Sequence, residues 1–434
     1  MSNTTTSTTS GAGHRLTSSD ARTLFLSALG GALEFYDFII FVFFVSVLGT
    51  LFFPPGIPDW LVQLQAFGIF AAGYLARPLG GIVLAHFGDR LGRKRMFTLS
   101  ILLMALSTLG MAVMPTFATI GHLAPVLLLL MRVLQGAAIG GEVPGAWVFV
   151  SEHVPQRKVG LACGVLTAGL VSGILLGSLV ATAINRSFTP EVIHDWAWRV
   201  PFLLGAVFGL CAVYLRSWLE ETPVFKEMKA RKALASGLPV RLVVQHHWRE
   251  VLLSALLTWL LTGGVVVVIL MTPTLFHSLY HIDSATALTA NSLATALLCV
   301  SCVVVGALCD RFGAGRVLLL GSVALGASTY LLYRTVGGDP AALFPLYGLA
   351  GLCVGVIAVT PYVMVRIFPP AIAFSGVSFS YNVAYAVFGG ITPLVVTLAL
   401  QADPFAHAHY ILALSVMGAL IGLYLWRTGQ VERP

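Results

Sequence analysis

The chain has 434 residues, of which 57% are hydrophobic and only 10% charged, and its mean hydropathy is +0.90. Soluble domains carry about 25% charged residues, so this chain lacks the polar surface to face water on all sides. The composition therefore excludes a soluble globular protein and predicts an integral membrane protein. The net charge of +7 does not indicate nucleic-acid binding, because membrane proteins collect Lys and Arg in their cytoplasmic loops.

Twelve apolar segments are long enough to cross a membrane, for which a helix needs about 20 mostly apolar residues. In chain order these spans are 23–52, 60–86, 96–115, 124–150, 159–184, 198–219, 250–276, 285–308, 316–336, 341–367, 374–400 and 408–427. A polar tail without the apolar core of a signal peptide precedes them, and a charged loop divides them into six and six. The predicted domains are a cytoplasmic tail at 1–22, a six-helix bundle at 23–219, a cytoplasmic central loop at 220–249, a six-helix bundle at 250–428 and a cytoplasmic tail at 429–434.

The distribution of basic residues predicts the orientation of the spans. With the N-terminus inside, the outer side keeps only Arg186, Arg199 and Arg334, whereas most of the 25 Lys and Arg face the cytoplasm. Both termini are therefore predicted to be cytoplasmic, in a multi-pass protein of the bacterial inner membrane. The charge pattern of the central loop predicts an amphipathic connector on the lipid surface rather than a nucleic-acid contact.

The two halves of the chain repeat each other. The segment AHFGDRLGRKR at 85–95 follows the second span, and GALCDRFGAGR at 306–316 follows the eighth, at a constant offset of 221 residues. The repeat predicts an all-α membrane protein with 12 transmembrane helices in two pseudo-symmetric six-helix bundles. We expect the charged turns to act as conformational latches, although a plain topology signal would also explain their arginines. The predicted latch residues are Asp89, Arg90, Arg93, Asp310 and Arg311.

Two carboxylates, Glu34 and Asp37, stand inside the first span, where a charged side chain is costly and seldom lacks a role. Residues three apart share a helix face, so both can point into the cleft between the halves. A rise of about 1.5 Å per residue puts Arg132 of the fourth span near the depth of Asp37, with Arg77 and Glu142 in a lower layer. We expect Asp37, Glu34 and Glu142 to carry the coupled proton. The alternative is a fixed Asp37–Arg132 or Glu34–Arg77 pair that only orients helices.

Three arginines and several polar side chains are candidates for binding a substrate. Guanidinium groups suit bidentate contact with a carboxylate, which points to Arg132, Arg77 and Arg199. A buried structural arginine is the alternative for Arg132, and pairing with Asp195 is the alternative for Arg199. The second half is nearly uncharged within its spans, and its polar candidates could equally form interhelical hydrogen bonds. These candidates are Thr262, Thr272, Asn291, Tyr381, Asn382 and Tyr385, of which Tyr381, Asn382 and Asn291 are the predicted substrate contacts.

The sequence offers little for covalent or metal chemistry. It contains no G-x-S-x-G or H-E-x-x-H motif, so a membrane enzyme is not expected. The six cysteines fall in or beside apolar segments, and Cys299 and Cys302 have C-x-x-C spacing without further ligands, so buried thiols are expected. We predict a monomer with no metal and no cofactor, whose partners are protons, a small organic anion and membrane lipid.

The D-R-x-G-R-K-R turn and its second copy resemble the signature loop of the major facilitator superfamily. Six further stretches resemble the metabolite–proton symporter branch of that family, which includes carriers for citrate, 2-oxoglutarate, shikimate and proline/betaine. They are LEFYDF, ARPLGG, RVLQGAAIGGE, WAWRVPF, LEETPVF and YNVAYAVFGGITPL. The chain departs from the family pattern at Ala85, which replaces a glycine, and at Ala371 and Ala373, where relatives often carry arginine.

The resemblance implies a secondary active transporter that works by alternating access. Together with the arginines and intramembrane carboxylates, it favours proton-coupled symport of a small organic anion, a di- or tricarboxylate such as citrate. The alternatives are a proton/osmolyte symporter of the proline/betaine type and a membrane receptor that does not transport. The osmolyte alternative is disfavoured because such relatives often carry a long C-terminal coiled coil, whereas this sequence stops at WRTGQVERP.

Overall fold

A computed structural model of the protein describes residues 18–91, 93–140, 142–217, 243, 245–369 and 372–431. The side chains of Asp89, Arg90, Arg93 and Glu142 lie outside the described part, as do Ala371 and most of the predicted central loop. The described chain consists of long helices joined by short turns. Helices suit this apolar sequence because they satisfy each backbone N–H and C=O within the segment, as a hydrocarbon environment requires.

Six helical spans form the first half of the described chain. Short helices at Phe117–Ile120 and Pro190–Asp195 lie in its connections. The spans are α1 (Ser18–Phe43 and Val45–Phe52), α2 (Asp59–Leu91), α3 (Arg93–Val113), α4 (Leu123–Ile139 and Glu142–His153), α5 (Val159–Ser187) and α6 (Val200–Ser217).

Six more spans form the second half of the described chain. They are α7 (Trp248–Gly263, Gly264–Met271 and Thr272–Tyr280), α8 (Ser284–Phe312), α9 (Ala314–Val336), α10 (Leu343–Val354, Gly355–Ala358 and Val359–Ile367), α11 (Ala373–Ala384, Tyr385–Gly389 and Gly390–Ala399) and α12 (Ala406–Thr428). The twelve predicted spans are thereby confirmed in number and order, within five residues at each end.

The outer surface of the helices is apolar, as the composition predicts. Large hydrophobic side chains lie exposed around both halves, among them Leu79 at 68%, Leu320 at 71% and Leu420 at 62%. Isolated exposed leucines are ordinary, but an apolar belt around a whole molecule needs lipid to cover it. Nine helices within the described residues are long and apolar enough to cross a membrane, and shorter apolar helices occur at Leu99–Val113 and Leu123–Ile139.

Turns of π-helix interrupt two helices of the second half of the described chain. Gly264–Met271 of α7 and Tyr385–Gly389 of α11 are π-helical, a conformation that is rare and frequent at functional sites. In α7 the Thr272 hydroxyl donates to the Val267 carbonyl at 2.8 Å. Side chains thus satisfy backbone groups that a regular helix would satisfy itself.

The most extensive contacts between the two halves are those of α5 with α8 and of α2 with α11. Glycines allow the close approach of α5 and α8, since a Cβ on Gly164 would lie 2.5 Å from the Cys302 carbonyl oxygen. At the second pair, a Cβ on Gly390 would lie 3.2 Å from the Ala71 carbonyl oxygen. These seams bring side chains from both halves together in the interior.

Candidate functional site

Arg132 lies fully buried at the centre of the first half, on the α4 helix. Its guanidinium donates to the Phe38 carbonyl at 3.0 Å and to the Gln135 side chain. Its Cζ lies 4.4, 4.8 and 5.2 Å from the ring centroids of Phe38, Phe41 and Phe70. The cation is therefore held by ring faces and by the backbone of α1. Its Nε and Nη2 are buried and have no hydrogen-bond partner among the residues that the structure describes.

Asp37 and Arg132 are brought together through Gln135. The Gln135 Nε2 donates to the Asp37 backbone carbonyl at 3.0 Å and to the Thr108 hydroxyl at 2.7 Å, while its Oε1 accepts from Arg132. The Asp37 carboxylate faces Thr108, Gln135 and Arg132, and it lies against Gly205 of α6. Asp37 is 0% exposed, and its carboxylate oxygens make no hydrogen bond of regular geometry with the described residues.

Arg77 occupies an aromatic enclosure between the two halves. Its Cζ lies 4.6 Å from the ring centroid of Tyr385, 5.7 Å from that of Tyr381 and 5.9 Å from that of Tyr74. Tyr74 and Arg77 belong to α2, whereas both other tyrosines belong to α11. Trp147 of α4 closes the enclosure, because its ring meets Tyr381 edge-on at 5.0 Å.

Several polar atoms of this enclosure have no hydrogen-bond partner in the described ranges of the chain. They are Nε and Nη2 of Arg77, the Tyr74 hydroxyl and the Trp147 indole nitrogen, all buried. Native interiors leave few buried polar atoms unsatisfied, so each such group calls for an explanation. A polar ligand that binds between α2, α4 and α11 would provide one.

The predicted polar residues of the second half lie in two places. Asn291 joins the α5–α8 seam: its Nδ2 donates to the Ser178 hydroxyl at 3.0 Å, and its Oδ1 lies 2.5 Å from the Tyr347 hydroxyl. The Tyr347 hydroxyl also donates to the carbonyl of Val268 in the π-helical turn of α7. Asn382 directly follows Tyr381 of the enclosure in the sequence. Its Nδ2 donates to the Ser378 carbonyl one turn earlier.

Arg199 lies apart from these residues. Its Nη1 donates to the carbonyls of Ala112 and Met114, at 2.6 and 2.9 Å, and so satisfies the end of α3. Its Cζ lies 4.4 Å from the Trp198 ring centroid. A substrate role for Arg199 stays a prediction, for which this position gives no support.

Asp310, of the predicted latch, links the halves at the predicted cytoplasmic end. Its two carboxylate oxygens accept from the backbone N–H groups of Gly160 and Leu161, both at 2.8 Å. These groups begin α5, where a negative charge is favoured by the helix dipole. Arg366 adds a second link, because its Nη2 donates to the Gln156 carbonyl. The Cζ of Arg311 lies 5.2 Å from the ring centroid of Phe312.

Glu34 is 2% exposed, on the same helix as Asp37. The structure thus places Glu34, Asp37, Arg132 and Arg77 in the interior. Tyr381 lies beside Arg77. Sequence reasoning missed Tyr74 and Gln135, although each lies three residues from a predicted arginine and so shares its helix face. It also missed Trp147, for which the sequence carries no signal. No group of three or more metal-ligating side chains occurs in the described part of the chain.

The sequence profile of the Major Facilitator Superfamily matches residues 28–393, which is most of the chain. The chain belongs to the Major Facilitator Superfamily. This superfamily member is 33% identical over 423 residues to the glycine betaine/proline/ectoine/pipecolic acid transporter OusA of Dickeya dadantii. It is 32% identical over 421 residues to the proline/betaine transporter of Salmonella typhimurium. Each match covers 93% of this chain and 83% of the relative.

Solved structures of the superfamily share the fold. The proton:xylose symporter XylE bound to 6-bromo-6-deoxy-D-glucose matches with a TM-score of 0.76, over 95% of this chain and 96% of that chain. Its sequence identity of 17% supports the likeness of fold alone. With its relatives, the fold makes this superfamily member a multi-pass membrane protein and a secondary transporter.

Proposed function

We propose that this protein is a proton-coupled symporter of small zwitterionic osmolytes of the proline and betaine type, in the bacterial inner membrane. The observation that carries the proposal is the charge balance of the interior. Two acids, Glu34 and Asp37, and two arginines, Arg77 and Arg132, are buried within the described residues. A site whose charges cancel suits a ligand whose charges cancel, because net charge is costly to bury.

The relatives support the same substrate class. Both are named for proline and betaine, so they favour the osmolyte alternative over the citrate-like reading of the sequence. A tricarboxylate brings up to three negative charges and would need an excess of buried cations. The buried residues that the structure describes include two carboxylic acids and two arginines.

Asp37 is the proposed carrier of the coupled proton, with Glu34 and Glu142 as further candidates. The Asp37 carboxylate is on α1, and the cation that supports its charged form, Arg132, is on α4. A motion that separates the two helices would weaken this support and favour proton uptake. Return to the present arrangement would favour release, which is the behaviour that a coupling residue needs.

Alternating access in this proposal is the movement of the half at 23–219 against the half at 250–428, with both termini cytoplasmic. The contacts of Asp310 and Arg366 with the beginning of α5 and its preceding turn cross from one half to the other. They must break before the halves can separate at that end. This is the support for Asp310 as a latch.

Symport of a di- or tricarboxylate is the second candidate. Within the part of the chain that the structure describes, two nitrogens of the buried Arg77 have no hydrogen-bond partner, a feature that suits a carboxylate group. A zwitterion with one carboxylate uses the same feature, so Arg77 alone does not separate the candidates.

Uptake by purified protein in liposomes separates them. Radiolabelled glycine betaine, proline and citrate are offered under an imposed inward proton gradient, with protein-free liposomes and a protonophore as controls. We expect glycine betaine and proline to accumulate and the protonophore to abolish accumulation. Accumulation of citrate without that of either zwitterion would refute the proposal in favour of the second candidate.

A further inference from the structure

The aromatic enclosure around Arg77 has no part in the proton step proposed above. Arg77, Tyr74, Tyr381 and Tyr385 are each 2% exposed or less, so the cation lies among rings and out of water. Ring faces attract cations electrostatically, most strongly when the pair is desolvated, and enclosures of this kind recognise quaternary ammonium ligands. The protein therefore already holds a cation where such a ligand would bind.

The guanidinium itself is incompletely satisfied in this position. Its Nε and Nη2 are buried and have no hydrogen-bond partner among the described residues, although these two nitrogens together form the edge that binds a carboxylate in bidentate fashion. A zwitterion supplies a cationic group that can replace the guanidinium at the rings, and a carboxylate with which the freed guanidinium can pair.

We propose that Arg77 occupies the substrate's cation site in the empty transporter, and that the ammonium group of a zwitterionic osmolyte displaces it. The displaced guanidinium then pairs with the carboxylate of the same substrate molecule. This inference rests on the proposed function and deepens it, because it assigns the substrate's two charged groups to named residues.

The exchange also has a place in the transport cycle. Tyr74 comes from the first half and Tyr381 and Tyr385 from the second, so the cation, whichever it is, lies on the seam between α2 and α11. Tyr385 is the first residue of the π-helical turn of α11. Displacement of Arg77 therefore acts directly on a contact that the two halves must break.

The first test is calorimetric titration of the purified protein with glycine betaine and with 3,3-dimethylbutanoate, which has the same shape and carboxylate but no positive charge. Tyr385→Leu should raise the Kd for glycine betaine about tenfold and that for 3,3-dimethylbutanoate less than about threefold. Tyr385→Phe keeps the ring and should leave both within about threefold. Tyr424→Leu, at a tyrosine 51% exposed on α12, is the matched control.

The second test uses one variant for which we expect opposite changes in the affinities for two ligands. Arg77→Gln removes the competing cation and also the partner of the carboxylate. The variant should bind tetramethylammonium severalfold more tightly than the wild type does, and glycine betaine about tenfold more weakly. Weaker binding of both ligands by a variant that elutes as the wild type does in size exclusion would overturn the exchange. If this variant does not fold, the comparison of Tyr385→Leu with Tyr385→Phe tests the inference.

Failure of the inference and failure of the proposed function give different results. If the wild type accumulates citrate and neither binds nor accumulates a zwitterion, the proposed function is refuted and this inference with it. If the wild type accumulates glycine betaine but Tyr385→Leu changes the two Kd values by the same factor, the inference alone is overturned.

Discussion

Replacing Arg132 with methionine disturbs the charge balance of the interior and leaves the Asp37 carboxylate without its cation. The guanidinium is 0% exposed, donates to the Phe38 carbonyl and to Gln135, and lies over three phenylalanine rings. Breaking a buried charge set by removal of one member costs about 3–5 kcal/mol, because the remaining charge is uncompensated. We expect Arg132→Met to lower the free energy of unfolding by about that amount.

The second substitution, Asp37→Asn, removes the charge that Arg132→Met leaves behind. The double variant should therefore lose less than the sum of the two single variants, with a coupling of about 1–3 kcal/mol. The measurement is SDS-induced unfolding in mixed micelles, followed by circular dichroism. Asp37→Asn combined with Arg186→Met, at an exposed arginine on α5, is the control and should be additive within about 0.5 kcal/mol. If the effects of Arg132→Met and Asp37→Asn on the free energy of unfolding are additive within the same limit, the two charges do not stabilise each other and the reasoning is refuted.

Two further predictions concern the proton site and the latch. A Cβ on Gly205 would lie 2.7 Å from the Asp37 carboxylate, whereas one on Gly209, a turn along α6, would lie 2.7 Å from an alanine methyl. Gly205→Ala should thus shift the pH dependence of uptake, and Gly209→Ala should lower stability without that shift; equal pH profiles would contradict the site. Asp310→Asn weakens the hold on the beginning of α5, so turnover should change while the glycine betaine Kd stays within about threefold. A lost affinity with normal turnover of bound substrate would count against the latch.

The helices could be predicted from the sequence because a hydrocarbon layer fixes how long an apolar segment must be. The repeat at 85–95 and 306–316 likewise predicted two equivalent halves. Depth counted along α1 and α4 predicted that Asp37 and Arg132 lie at one level, and the structure joins them through Gln135. Helical geometry is regular enough for such counting.

Contacts across helices could not be predicted in the same way. The enclosure of Arg77 depends on how α2 meets α11 and on the π-helical turn that begins at Tyr385, and neither leaves a periodic trace in the sequence. Arg199 illustrates a second kind of contact that the sequence does not reveal. It was a predicted substrate residue, and in the structure its guanidinium donates to backbone carbonyls at the end of α3. Which group an arginine meets is decided by packing, and composition does not reveal it.

The substrate was the least predictable property. The motifs that carry the resemblance, such as LEFYDF and RVLQGAAIGGE, are shared by carriers of several acids and of proline/betaine, so they indicate the family more than the ligand. The end of the sequence was a poor guide as well, since the matched relatives are named for proline and betaine. Tyr74 and Trp147 of the aromatic enclosure lie outside these motifs.

Proton movement during substrate entry tests the central claim most directly. Liposomes containing the purified protein and a luminal pH dye receive glycine betaine outside, with no imposed pH gradient and with valinomycin and potassium to prevent a membrane potential from building up. We predict that the lumen acidifies as glycine betaine enters, and that Asp37→Asn still exchanges labelled for unlabelled glycine betaine without acidification. Entry of glycine betaine through the wild-type protein with no more acidification than in protein-free liposomes would contradict proton-coupled symport.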